Sequence, residues 1–199
     1  MARLITLTGP SGSGKSKVIE ELLALKSQEF MPELIPKYST RTPRKDDGEE
    51  IICVPTIPLE CDLVYEQYGG RYGFESKRIY DLLSSKINPI IILNDIRIIA
   101  DIRNAFGGLT HSVFIYRESP RLSYFKKLAE ERGVTDESDI LKRFQKAQAI
   151  FRIYIENIHL FDHVILNSGT LTDLQFQVAQ LVKGIVLESK WRLSERGAI

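Results

Sequence analysis

Apolar runs of strand length alternate along this chain with stretches whose apolar residues recur every three or four positions. Leu4-Ile5-Thr6-Leu7-Thr8 reads as a buried strand and runs straight into a glycine-rich turn at Gly9. A helix is predicted over 15–26, with Val18, Leu22, Leu23 and Leu25 apolar, and a short strand over 34–38, whose Pro36 restricts it to a strand end or a sheet edge. From there to about Gly73 prolines, glycines and acids interleave without a period, which predicts an excursion from the core rather than a second domain. A helix over 75–86, a strand over 90–94, a helix over 98–106 stopped by Gly107-Gly108 and a strand over 112–116 follow. Ser119-Pro120 supplies a cap and a first helical position for a helix reaching about Glu131. Thr135 with Asp136, Glu137 and Asp139 does the same for a longer helix bearing Ile140, Phe144, Ala147, Phe151 and Ile155. A last strand over 164–167 and a last helix over 171–187 complete the pattern, which is that of an α/β fold on a parallel sheet.

Composition narrows the picture. The 199 residues suffice for one domain with a full core, and 27 Lys plus Arg against 26 Asp plus Glu leave a net charge of +1. Such a balance has no bulk attraction for nucleic acid or an anionic membrane, so any affinity for anions must be local. No apolar run reaches membrane-spanning or signal-peptide length. Cys53 and Cys61 read as reduced thiols of a cytoplasmic protein, and His111, His159 and His163 do not complete a metal site with them.

Candidate chemistry begins at Gly9-Pro10-Ser11-Gly12-Ser13-Gly14-Lys15-Ser16, a phosphate-loop pattern set between a predicted strand and a predicted helix. Its glycines let backbone N–H groups converge on phosphate oxygens, and the following helix adds the positive end of its dipole. Lys15 is expected to reach the β- and γ-phosphates of a nucleotide, and Ser16 to ligate Mg²⁺. Arg41 and Arg44, in Lys37-Tyr38-Ser39-Thr40-Arg41-Thr42-Pro43-Arg44, present two guanidinium forks suited to a second, phosphorylated substrate. Arg132, before Gly133, and Arg143, on the next predicted helix, read as lid cations that fold over a transferring phosphoryl group.

The phosphate loop, Ser39-Thr40-Arg41-Thr42-Pro43-Arg44, Tyr72-Gly73, the span from Arg132 to Arg143 and Phe161-Asp162-His163-Val164-Ile165-Leu166-Asn167 stand in the order seen in guanylate kinases, which this chain resembles over nearly its whole length. The resemblance implies a three-layer αβα fold with a five-stranded parallel sheet: a core of 1–32, 76–127 and 143–187, an acceptor-binding excursion at 33–75, a lid at 128–142 and a tail at 188–199. It implies that Arg41 and Arg44 grip the acceptor's phosphate, that Tyr72 contributes to the same pocket, that Arg132 and Arg143 act on the donor phosphates, and that Asn167 lies near the adenine of ATP. Asp95 becomes a candidate for a water-mediated contact to Mg²⁺. Packing of Trp191 on the body is the expectation for the tail.

Departures from that family fall in the acceptor pocket. Ile51 or Ile52 stands where its second phosphate-gripping Tyr is expected, Phe74 replaces a hydroxyl residue, and the Asp-x-Asp strand end reads Asn94-Asp95-Ile96. The excursion is shorter, and Glu66 is the nearest counterpart of the guanine-contacting Glu. Lys37, Tyr38, Thr40 and Arg41, with Asn94 and Arg97, are similar instead to the ribose 1,5-bisphosphate phosphokinases, although those generally lack an equivalent of Arg44. Three readings therefore stand: an ATP- and Mg²⁺-dependent kinase of GMP, a kinase of ribose 1,5-bisphosphate or another nucleotide, and an inactive protein-binding module of guanylate-kinase type.

Overall fold

The first apolar run forms β1 (Leu4–Thr8), and all of its residues are buried. Burial on both faces is what a continuous apolar run requires of a central parallel strand. The computed structural model describes residues 1–43, 47–67, 69–117, 121–131, 133 and 136–196, and only the backbone of Leu128 and of 193–196. In it, β1 is the middle strand of a five-stranded sheet. Its neighbours are β7 (Asn88–Ile92) and β8 (Thr110–Tyr116), and β2 (Pro32–Leu34) and β9 (His163–Leu166) form the edges, all pairs parallel.

Successive strand residues turn to opposite faces. Ile5, Ile90 and Ile92 join a core with α1 (Lys15–Ala24) and α6 (Leu171–Arg196), whereas Leu4, Ile91 and Leu93 join one with α2 (Ser76–Ser84) and α3 (Ile96–Phe106). Pro89 lies inside β7 with its missing N–H toward β1. The Arg3 carbonyl left unmatched there accepts from Asn88 Nδ2 at 3.3 Å.

The strand expected over 34–38 divides between two sheets. Its first part is β2, which ends as Ile35 N donates to Ile90 O at 2.9 Å. Pro36 follows with its nitrogen on the open edge of the sheet, where no donor is needed, and Lys37 N turns to Glu50 O at 3.1 Å as the chain leaves to form β3 (Lys37–Ser39) in a second sheet. That sheet, of order β4-β3-β6-β5, also contains β4 (Ile51–Cys53), β5 (Leu63–Gln67) and β6 (Gly70–Phe74). The described residues of 38–73 are thus far more regular than their composition suggests. From this sheet, Tyr65, Tyr72 and Phe74 are buried in the same core as Ile91 and Leu93.

Two further helices, α4 (Leu122–Glu131) and α5 (Glu137–Glu156), pack through Phe125, Ala129, Ile140 and Ala147. Asp136, expected as a first-turn acid behind a Thr135 cap, is itself the N-cap of α5, its carboxylate accepting from Ser138 N at 2.8 Å, and Glu137 and Asp139 stand in the first turn. The cap signal at Ser119-Pro120 and Thr135 lies outside the described residues. Farther along α5, Tyr154 stacks on the buried Phe114 with centroids 4.1 Å apart.

The last helix continues to Arg196, well past its expected end, and Trp191, expected to pack on the body, is 60% exposed. Ser189 and Glu188 make the attachment instead. Ser189 Oγ donates to Met1 O at 2.9 Å, and Glu188 lies 3.6 Å from the fully buried Arg3 guanidinium and 3.2 Å from His111 Nε2. His111 Nδ1 is 3.1 Å from His163 Nε2. Burial, reinforced by His163 and Arg3 and opposed by Glu188, lowers the His111 pKa from 6.5 to about 4. Between those values the unfolded chain binds a proton that the folded chain refuses, so stability falls as pH drops from 6.5 toward 4. His111 is expected to contribute a loss of about 2 kcal/mol between about pH 7 and about pH 5, read by chemical denaturation, and His111→Gln to flatten that slope. An unchanged slope in the variant would remove His111 as its source.

Among the described residues no helix is long and apolar enough to cross a membrane. Cys53 and Cys61 are both free, and burial pushes the Cys61 thiol up to about 11.

Candidate active site

The C-terminal end of β1 delivers the chain into the loop at 9–14, and Gly14 caps α1 with φ +93°. A side chain there would be strained by the backbone and would meet Asn167 Nδ2 at 2.1 Å, so glycine is required on two counts. Three neighbours hold the loop. Gly9 N donates to Asn94 Oδ1 at 3.2 Å, Tyr124 Oη donates to Gly12 O at 2.9 Å, and Asn167 Nδ2 donates to Ser13 O at 2.9 Å. Lys15 Nζ folds back onto Gly9 O and Pro10 O, both at 2.9 Å.

This loop forms one wall of a cavity of about 210 Å³, to which it contributes Ser11, Lys15 and Ser16. The second sheet supplies the facing wall, and its register decides which residues reach it. Ser39 pairs with Tyr72, and Tyr72 with Tyr65, so β3, β6 and β5 turn the same face inward. Lys37, Tyr72, Tyr65 and Gln67 line the cavity from that face, and Glu50, Ile51 and Arg41 from the adjoining chain. The Tyr65 and Tyr72 rings stack at 5.2 Å, and Lys37 Nζ lies 5.7 Å from the Tyr72 ring. Burial lowers the Lys37 pKa to about 8, against the pull of Glu50 and Asp47. Helix α5 adds Asp139, Arg143 and Lys146, and Asn94 closes the floor beyond β7.

Lys15, Lys37, Arg41, Arg143 and Lys146 outnumber Glu50 and Asp139 in the lining, which makes the cavity a site for anions. Internal groups already engage its arginines. Asp47 accepts a charge-assisted bond from Arg41, with both side chains largely buried, and Asp139 accepts from Arg143 Nε at 2.7 Å.

Ser11, Lys15, Ser16, Lys37, Arg41, Tyr72, Asn94 and Arg143, all expected at the site, therefore share one cavity, and others expected there do not line it. Tyr38 pairs with Gly73 on the opposite face of its sheet, where burial and Glu75 raise its pKa, because strand alternation separates it from Lys37. Asp95 is committed to the start of α3, accepting from Arg97 N at 3.0 Å and Ile98 N at 3.4 Å and pairing with the Arg97 guanidinium, and it does not line the cavity. Asn167 lies against the phosphate loop itself. Glu66 points outward to Arg71 with its side chain 79% exposed. Arg44 and Arg132 lie outside the described residues.

Sequence reasoning missed Glu50, Tyr65, Gln67, Asp139 and Lys146. Lys146 was detectable as one turn beyond Arg143 on a predicted helix. Tyr65 and Gln67 follow from the period of two in β5, but only after that strand is recognised.

A parallel αβα sheet with a phosphate loop at the C-terminal end of its central strand, opening on a cation-lined cavity, defines a P-loop phosphotransferase fold. The guanylate kinase family profile matches residues 1–183. This chain belongs to that family, and with it to the ATP-dependent phosphotransferases of nucleoside-monophosphate-kinase type. It is 27% identical over 184 residues to a guanylate kinase of Synechococcus sp. (strain JA-3-3Ab), covering 87% of this chain and 79% of that one. The Latilactobacillus sakei guanylate kinase is 28% identical over 173 residues, covering 82% and 80%. A solved guanylate kinase from Anaplasma phagocytophilum has the same fold, with a TM-score of 0.62 at 16% identity, covering 92% of this chain and 85% of that one.

Proposed function

We propose that this protein transfers the γ-phosphoryl group of ATP to the phosphate of GMP. The observation supporting this reading is that one cavity joins the phosphate loop to Arg41, Tyr72 and Lys37, with Arg143 and Lys146 of α5 on its rim. ATP would lie with its phosphates over the backbone of 9–14 and Lys15. Mg²⁺ would be held by Ser16 together with those phosphates and would neutralise charge on the transferring group.

The acceptor's phosphate would exchange for Asp47 on Arg41, with the Tyr72 hydroxyl beside it. Lys37, Glu50 and Gln67 supply a donor, an acceptor and an amide for the acceptor's remaining polar groups. A phosphate oxygen of the acceptor attacks the γ-phosphorus, and ADP leaves. That oxygen is already a nucleophile, so no general base is needed, and positioning and charge stabilisation by Lys15 and Arg143 do the work. Arg132 would join them as the family resemblance implies.

Phe74 and Ile96, where the family resemblance implies hydroxyl and carboxylate groups that read guanine, leave the acceptor as the point to test. A coupled ADP-release assay with GMP, dGMP, AMP, UMP and ribose 1,5-bisphosphate is expected to give its highest kcat/KM with GMP. GMP turnover no greater than that of AMP or UMP would reject GMP, and a maximum with ribose 1,5-bisphosphate would assign the acceptor to that sugar.

A further inference from the structure

Tyr124 is the residue at the donor site that no motif predicts. It lies in the first turn of α4, on the hairpin whose second helix bears Arg143, and its ring meets Phe125 edge-on at 5.6 Å. Its hydroxyl is used in both directions: it donates to Gly12 O at 2.9 Å and accepts from the Arg117 guanidinium at 3.0 Å. The same guanidinium sits 4.7 Å from the centre of the ring.

A trans peptide directs its C=O and N–H to opposite sides, so fixing a carbonyl also fixes the next N–H. With Gly12 O held by Tyr124, Ser13 N turns inward and donates to Pro10 O at 3.2 Å, closing the turn at 10–13. With the next carbonyl, Ser13 O, held by Asn167 at 2.9 Å, the Gly14 N–H is directed away from Asn167. Two consecutive peptide planes of the loop are thereby oriented from outside it. Tyr124 differs from Asn167 in coming from the helical hairpin, so its bond fixes that hairpin relative to the loop as well.

We propose that Tyr124 is a positioning residue for the donor site: held by Arg117, its hydroxyl locks the Gly12 carbonyl and ties the Arg143-bearing hairpin to the phosphate loop. The inference rests on reading 9–16 as the site of the donor phosphates. It predicts a contribution to nucleotide binding that is blind to the base, because Tyr124 acts through the loop backbone.

Tyr124→Phe removes the hydroxyl and keeps the ring, its edge contact with Phe125 and its stacking under Arg117. Calorimetric titration of wild type and variant with ADP and with UDP, each with Mg²⁺, is expected to show the Kd of both nucleotides rising about three- to tenfold, the range of one neutral hydrogen bond. In steady-state assays KM for ATP should rise while KM for the acceptor stays unchanged. A lowered Tm with unaltered Kd would make Tyr124 merely structural and overturn the proposal. A rise for ADP alone would make it a base contact and overturn the proposal equally. Failure of wild type to bind either nucleotide would instead reject the donor-site reading itself.

Discussion

Lys15→Ala is expected to lower kcat for phosphoryl transfer by about 10²- to 10³-fold, the scale of losing one pre-positioned charge from the transition state. Lys15 is only partly buried and its ammonium rests on two carbonyls of its own loop, so truncation opens no core cavity and should leave Tm nearly unchanged. Its charge has to leave those carbonyls for the donor phosphates, and the transferring phosphoryl is where positive charge changes the barrier most. Single-turnover measurement of ADP formation with saturating acceptor checks the effect on chemistry, free of product release. A variant as active as wild type would remove Lys15 from the chemistry, and a wild type that forms no ADP with any acceptor would favour the inactive binding module, whose function needs no Lys at this position.

Arg41→Ala should instead act on the acceptor, raising its KM by up to about 10²-fold and leaving KM for ATP close to wild type. A charge-assisted, two-pronged contact to phosphate is worth about 1.5–3 kcal/mol, which converts to that range. Arg41→Lys separates fork from charge: it keeps the cation and loses the planar pair of donors, so partial recovery is expected. Truncation also deprives Asp47 of its counter-ion in a largely buried setting, and a modest loss of stability should accompany the kinetic defect. Parallel rises in both KM values would mean that the substitution disturbs the cavity as a whole rather than one subsite.

The parts of the fold that were legible in the sequence are those written locally. The buried run Leu4 to Thr8, the glycine-lysine pattern after it and the acidic start of α5 each announce themselves within a few residues, and the parallel sheet follows from the alternation of strand-length and helical-period segments. The second sheet was hidden because β3 and β4 have three residues each, too few for a period to emerge among prolines and glycines. Its consequences for the site were hidden with it. Whether Glu50 or Glu66 faces the cavity, and whether Tyr38 accompanies Lys37, depend on strand register, a property of pairing between distant segments. Asp95 shows the converse: a carboxylate beside a phosphate loop suggests a metal contact, yet two residues before a helical run it is equally an N-cap, and the helix claims it. For the tail, packing of Trp191 on the body was the expectation, whereas Ser189 and Glu188 bind it through polar partners that hydrophobicity cannot forecast.

Tyr65, Tyr72 and Phe74 belong to the acceptor-side sheet and, at the same time, to the core shared with Ile91 and Leu93. Evolutionary change in the excursion is therefore constrained on one side and free on the other. Residues on its outer face, such as Glu66 and Arg71, can drift or accept insertions at the tolerance of surface positions. Every exchange of an inward aromatic must at once keep the body watertight and leave the acceptor a pocket. A graft of a relative's longer excursion onto this chain would thus have to bring matching partners for Ile91 and Leu93, or the chimera would fail in folding before its specificity could be assayed.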